Sequence, residues 1–104
     1  MKIVSVTDEK ILFDNGNSIT FDHEPDCCEY NYADFKQLDD IARTTDFDPN
    51  LDFIPNGDTG FLFGNAPNKM FFVPCYSCQN GYYTNCLDIY YNRNVLNMEC
   101  QMVL

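Results

Sequence analysis

Apolar and polar side chains alternate from Leu96 to Met102, close to the end of this 104-residue sequence. A period of two is typical of a β-strand that is buried on one face. The alternation places one apolar set on that face: Leu96, Met98, Cys100, Met102 and Leu104. We therefore predict a strand over residues 95–104. The tight Asn92-Arg93-Asn94 connection predicts that this strand forms a hairpin with the strand before it.

An Asp14-Asn15-Gly16 turn between two short β-rich runs predicts another hairpin near the start of the chain. A two-residue Asn-Gly loop would divide the apolar side chains of the two runs between both faces of the sheet. A three-residue loop with Gly16 in the left-handed conformation collects them on one face, so we predict the longer loop. The residues collected in this way are Ile11, Phe13, Ile19 and Phe21, and the predicted strands before the last one are 2–6, 10–13, 18–21, 61–63, 70–73 and 82–91.

One segment has the spacing of a helix rather than a strand. Asn31 is a candidate N-cap, and Asp34 stands in the first turn, where the helix dipole favours a negative charge. The apolar residues that form one stripe are Tyr32, Phe35, Leu38, Ile41 and Ala42. We predict an α-helix over residues 32–43. Residues 44–59 are rich in Asp, Asn, Pro and Gly and predict a long loop, in which Phe53 and Ile54 add a short strand or pin the loop to the core.

These elements predict an α+β fold with a single curved, mostly antiparallel β-sheet and one α-helix packed on it. A chain of this length is long enough for one hydrophobic core and too short for two. We therefore expect a single domain over residues 1–104.

The net charge of −10 is unevenly distributed along the chain. Residues 1–58 hold 14 acidic against four basic residues, whereas residues 59–104 hold two of each. Such a field repels nucleic acid and anionic membranes and attracts basic surfaces, although it also serves solubility alone. The sequence shows no export signal and no long apolar segment, so we expect a cytoplasmic protein whose six cysteines are reduced and mostly buried.

Three constellations suggest metal or catalytic chemistry, and each lacks a required part. Cys75 and Cys78 have zinc-knuckle spacing, and Cys27, Cys28 and His23 could complete the ligand set, but Cys27 and Cys28 are adjacent in sequence, which rarely lets both thiolates bind one ion. His23 near Cys27 suggests a nucleophilic pair oriented by Asp26 or Glu29, but no oxyanion turn accompanies it. The acidic run that resembles a calcium loop, Asp46, Asp48, Asn50, Asp52 and Asp58, lacks the glycine and terminal glutamate of such a loop. We expect no metal, no cofactor and no enzymatic activity.

Several tyrosines cluster in the second half of the predicted sheet: Tyr76, Tyr82, Tyr83, Tyr90 and Tyr91. Their rings could contact a protein or a small ligand, or pack across the strands. Only Lys69 and Arg93 lie near them in sequence, which is too little positive charge to gather phosphates. We therefore expect no direct binding of nucleic acid.

Two short stretches of the sequence are distinctive: Asp26-Cys27-Cys28-Glu29 followed by Tyr32-Ala33-Asp34-Phe35, and Asn80-Gly81-Tyr82-Tyr83 leading into a strand. They resemble a family of small uncharacterised proteins encoded by phages and prophages. The resemblance covers about residues 10–91 and carries no activity. It implies a small accessory protein that binds and disables a host machine.

The leading hypothesis is a non-enzymatic inhibitor that docks on a basic surface of a host defence or nucleic-acid-processing protein. The alternatives are a nucleotide-like small-molecule binding protein and a cysteine-based zinc module. The predicted binding residues are Asp26, Cys27, Cys28, Glu29, Asp34, Asp39, Asp40, Tyr82 and Tyr83.

Overall fold

The chain forms two β-sheets around a shared hydrophobic core, in a computed structural model that describes residues 1–22, 30–79 and 85–103. The strands are β1 Ile3–Val6, β2 Lys10–Phe13, β3 Ser18–Asp22, β4 Tyr30–Ala33, β5 Asp52–Asn56, β6 Gly60–Asn65, β7 Lys69–Cys78, β8 Cys86–Tyr91, β9 Asn94–Glu99 and β10 Gln101–Val103. The first sheet has the strand order β1-β2-β3-β8-β9, and in the second sheet β7 pairs with β4, β6 and β10 while β5 pairs with β6. The predicted α+β fold with a single sheet is wrong, because the described residues are nearly all β.

The predicted helix over residues 32–43 is absent, and two short 3₁₀ helices, Phe35–Gln37 and Asp40–Thr44, lie in its place. Leu38 between them has an extended backbone (φ −59°, ψ 137°), which interrupts any continuous helix. Tyr32 belongs instead to β4, and Ile41 of the predicted stripe is 64% exposed. The physical reason is that residues 30–33 alternate with a period of two, and pairing with β7 outweighs the helical spacing of the apolar residues further on.

The β2–β3 hairpin has the predicted three-residue loop. Ile11 is opposite Ile19 in the register, and the Phe13 N–H donates to the Asn17 carbonyl at 2.9 Å. Gly16 has φ +89°, the left-handed conformation that the loop requires. Ile11, Phe13 and Ile19 are buried on one face as predicted.

The predicted last strand is two strands that belong to different sheets. β9 pairs with β8 as the predicted hairpin, whereas β10 pairs with β7 in parallel. Cys100 lies at the crossing: its N–H donates to the Asn85 carbonyl at 2.8 Å, and the Asn85 amide donates back to the Cys100 carbonyl at 3.0 Å. Met98 and Cys100 are buried as predicted, but Met102 is 45% exposed because it lies beyond the crossing. Leu104 is outside the described residues.

The ten residues of β7 pair with three other strands. Its first part is antiparallel to β6, and its last four residues are antiparallel to β4. The Pro74 carbonyl accepts the Asp34 N–H at 2.9 Å, whereas the Cys75 N–H donates to the Thr59 carbonyl at 3.0 Å. Because backbone groups of successive strand residues point to opposite edges, β4 and β6 lie on opposite edges of β7.

The segment predicted as a long loop contains β5, which includes Phe53 and Ile54 and pairs with β6. The preceding residues are held by Tyr91, whose hydroxyl donates to the Pro49 carbonyl at 2.6 Å and accepts from the Asn17 amide at 3.0 Å. Burial raises the pKa of the Tyr91 hydroxyl. The segment is therefore fixed against the first sheet.

Candidate functional site

Six of the nine predicted binding residues lie outside the described residues: Asp26, Cys27, Cys28, Glu29, Tyr82 and Tyr83. His23 of the Cys-His hypothesis is outside them as well.

The three predicted acids that are described each make a local contact. The Asp34 carboxylate accepts a hydrogen bond from the Gln37 amide at 2.8 Å. Asp39 accepts from the Ile41 N–H at 3.0 Å, so it caps the second 3₁₀ helix. Asp40 lies 3.8 Å from the Arg43 guanidinium. Asp39 and Asp40 therefore make contacts within the second 3₁₀ helix, whereas Asp34 lies beside an exposed aromatic surface.

That surface, here called the tyrosine face, is formed by Tyr30, Tyr32, Tyr76, Cys78 and Val103. In the register, Tyr30 is opposite Cys78 and Tyr32 is opposite Tyr76. The rings of Tyr30 and Tyr32 stack at 5.2 Å, and those of Tyr32 and Tyr76 lie 5.6 Å apart. Tyr30 is 49% exposed and Val103 is 40% exposed. The second sheet thus presents a row of aromatic rings to solvent.

One carboxylate, that of Asp34, borders the tyrosine face. Gln37 donates both to the Asp34 carboxylate at 2.8 Å and to the Tyr76 hydroxyl at 3.1 Å, which holds the carboxylate near the rings. The pKa of the Tyr32 hydroxyl is raised, first by burial and then by its acidic neighbours, Cys78 and Asp34 among them. This face therefore disfavours additional negative charge.

A buried polar network lies on the opposite side of the same two strands. Ser77 donates to the Asn31 side-chain oxygen at 2.5 Å and accepts from the Gln79 amide at 2.6 Å. The Asn31 amide donates to the Cys86 carbonyl at 3.0 Å, which ties β4 to the first sheet. Asn31 and Ser77 are fully buried. Because Asn31 alternates with Tyr30 and Tyr32, this network fixes the register that aligns the exposed rings.

A groove separates Tyr30 from the outer surface of the first sheet. It encloses about 350 Å³ and is lined by Glu9, Lys10, Thr20, Phe21, Asp22 and Tyr30. Tyr30 of the second sheet therefore borders the same space as two carboxylates, those of Asp22 on β3 and of Glu9 just before β2. Phe21 and Lys10 also line this space. Sequence reasoning missed this site because it assigned Tyr32 to a helix and did not single out Tyr30, although Tyr30-Asn31-Tyr32-Ala33 has the alternation of a strand.

Two like charges are opposite each other on the first sheet. Asp22 on β3 is the register partner of Asp88 on β8. Directly opposed like charges on neighbouring antiparallel strands destabilise the pair. The Asp88 carboxylate accepts from the Asn97 amide at 2.8 Å, and neither aspartate forms an ion pair with a described residue. The outer face of this sheet therefore carries concentrated negative charge.

The two described members of the zinc hypothesis point in opposite directions. Cys75 is buried in the core, where its thiol lies 3.8 Å from the Met98 sulfur, whereas Cys78 is exposed on the tyrosine face. In a strand, residues three apart face opposite sides, so this spacing cannot present both thiols to one ion. A hydrogen bond with Cys100 and burial both raise the pKa of the Cys75 thiol. The described Cys75 is therefore a core residue.

The acidic segment over residues 46–58, which resembles a calcium loop in sequence, forms hydrogen bonds with Asn65 and Ala66. The Asn65 side chain accepts from the Asp48 N–H at 2.7 Å and donates to the Asp48 and Asn50 carbonyls. Asp52 accepts the Ala66 N–H at 3.1 Å. Within the described ranges, no group of three or more His, Cys, Asp or Glu side chains is placed to hold a metal ion.

The tyrosines predicted to cluster are separated by the fold. Tyr76 is on the tyrosine face, Tyr90 is on the outer face of the first sheet and Tyr91 is buried in the core. Beside Tyr91 lies an apolar cavity of about 170 Å³, lined by Phe53, Ile89, Tyr91, Asn94, Val95 and Leu96. This volume is below the range of about 300–1,000 Å³ usual for sites that hold drug-sized molecules, so it does not favour a nucleotide-like ligand.

Comparisons with protein-family models, curated proteins and solved structures found no match. Neither of the short helices in the described part of the chain is long and apolar enough to cross a membrane.

Proposed function

We propose that this chain is a non-enzymatic binding protein that docks its acidic surface on a basic surface of a partner protein. The observation that carries the proposal is the opposition of Asp22 and Asp88 on neighbouring strands. A like-charge pair costs stability in the free protein. Residues that destabilise the free protein are expected at functional sites. A basic partner would be attracted to the two carboxylates and would relieve the repulsion between them.

The surplus of negative charge on the described surface supports the same proposal. The described residues include thirteen carboxylate side chains and six basic ones. Within the described residues, only three of these carboxylates form ion pairs: Asp8 and Asp40 with basic side chains, and Asp46 with the N-terminal ammonium. The remaining charge creates a field that speeds the encounter with a basic protein and excludes nucleic acid.

The class of partner follows from that field and from the resemblance to phage-encoded proteins. Proteins that bind or process nucleic acid carry basic grooves for phosphates. An acidic inhibitor made in the host cytoplasm would occupy such a groove on a host defence or nucleic-acid-processing protein. The proposed partner is a protein, and the chain contacts neither a membrane nor nucleic acid directly in this role.

The test is affinity capture with charge-matched variants. The wild type, a variant with Asp22→Asn and Asp88→Asn, and a control with Asp14→Asn and Asp58→Asn are each used to capture proteins from host lysate. The two variants have the same net charge. Basic proteins should be retained by wild type at about 50 mM salt and released at about 500 mM. The Asp22 and Asp88 variant should retain less than the control, and retention that ignores both salt and variant would refute the proposal.

A further inference from the structure

We infer that the groove beside Tyr30 binds an arginine side chain of the partner protein. This inference rests on the proposed function and assigns its contact site. The groove is lined by two aromatic residues, Tyr30 and Phe21, and two carboxylates, and it lies at the junction of the tyrosine face and the acidic first sheet.

The volume of the groove accommodates one long side chain. Its volume of about 350 Å³ is at the lower end of the range for small-molecule sites and exceeds what a single side chain needs. Tyr30 stacks on Tyr32 with an interplanar angle of 23°, and Tyr30 also lines the groove. The stacking on Tyr32 orders the Tyr30 ring before the partner binds, so little conformational entropy is lost on docking.

The charge of the groove selects a cation. Glu9 and Asp22 contribute two negative charges and Lys10 contributes one positive charge, and Asp88 is opposite Asp22 on the next strand. A cation that lies over a tyrosine ring is attracted by its π electrons. An incoming positive side chain therefore meets both an aromatic face and a net negative charge.

Arginine fits this combination better than lysine. Its guanidinium group is planar, stacks on aromatic rings and can donate two parallel hydrogen bonds to a carboxylate. The lysine ammonium is more strongly hydrated and lacks this planar geometry. The groove should therefore prefer arginine among peptides of equal charge.

The experiment measures the binding of labelled peptides by fluorescence anisotropy. The probes are three peptides of equal length in which glycine alternates with arginine, lysine or glutamate. We expect the arginine peptide to bind about two- to fivefold more tightly than the lysine peptide, which is the range of an exposed cation–π contact. The glutamate peptide should not bind.

Variants of Tyr30 separate the ring from general electrostatics. Tyr30→Leu should remove the preference for arginine, whereas Tyr30→Phe should retain it because the ring remains. Phe72→Leu, at an exposed aromatic residue of β7 that does not line the groove, is the matched control and should bind like the wild type. Lys10→Gln should strengthen arginine binding more than Lys69→Gln, which makes the same change of charge outside the groove.

The outcomes distinguish this inference from the proposed function. Salt-dependent binding with equal affinity for arginine and lysine, unchanged by Tyr30→Leu, would overturn the inference and leave the proposed function standing. If the wild type retained basic host proteins yet bound neither cationic peptide at about 50 mM salt, the inference alone would also fail. Failure to bind either the peptides or basic proteins would overturn both.

Discussion

Replacing Ser77 with alanine should destabilise the protein through the buried polar network. The Ser77 hydroxyl makes two hydrogen bonds, at 2.5 Å to Asn31 and at 2.6 Å from Gln79, and both Asn31 and Ser77 are fully buried. A hydrogen bond contributes about 0.5–1.5 kcal/mol net, so the loss of two gives about 2 kcal/mol. For a domain of this size, that lowers the melting temperature by roughly 10 °C.

Urea unfolding of Ser77→Ala against Ser18→Ala measures this effect. Ser18 also lies in a strand, but its hydroxyl makes no hydrogen bond with the rest of the described chain. Its replacement should change the free energy of unfolding by less than about 0.5 kcal/mol. The reasoning would be refuted if the two variants lost the same stability, because the network would then contribute nothing specific. Hydrogen exchange should also accelerate at the β4 amides of Ser77→Ala, since Asn31 holds β4 in register.

Three further predictions concern charges and backbone. Asp22→Asn should raise the free energy of unfolding by about 0.5 kcal/mol at low salt, and thermal melts should show no such gain for Asp58→Asn. Hydrogen bonding to the N-terminal ammonium lowers the pKa of Asp46 below its usual 3.8. The ionised Asp46 therefore adds its full contribution to the free energy of unfolding above pH 3.8, and this contribution is lost as the pH falls through the lower folded-state pKa. Acid unfolding of Asp46→Asn should lack this pH-dependent loss of stability. Gly64 has φ +145°, and a Cβ there would collide with the Lys69 carbonyl, so Gly64→Ala should cost about 3 kcal/mol in urea unfolding.

The strands and tight turns could be predicted from the sequence because their signals are local. The Asp14-Asn15-Gly16 loop follows from the need to bury Ile11 and Ile19 together, and the structure confirms it. The helix over residues 32–43 could not be excluded, because its apolar spacing satisfied the helical pattern while the competing strand pairing with β7 is a long-range contact. The change of sheet at Cys100 could not be predicted either, because the alternation of apolar and polar residues continues through it and the pairing of β10 with β7 is a long-range contact.

The candidate site was only partly accessible to sequence reasoning. Asp34 was predicted and lies beside the tyrosine face, but Tyr30 and Asp22 are brought to one groove by strands of different sheets. No local pattern encodes that proximity. The Cys75-Tyr76-Ser77-Cys78 motif has a local pattern that suggests a zinc site, which its two described cysteines do not form. Because the segment is a strand, its two cysteines lie on opposite faces of the sheet.

The most direct test of acidic docking at this groove is an NMR titration of the labelled protein with the arginine peptide at low salt. We predict that the largest amide shift changes occur at Thr20, Asp22, Tyr30 and Tyr32, and that they disappear in Tyr30→Leu. Shift changes spread evenly over the exposed carboxylates, or centred on the Asp48 to Asp58 segment, would contradict this assignment.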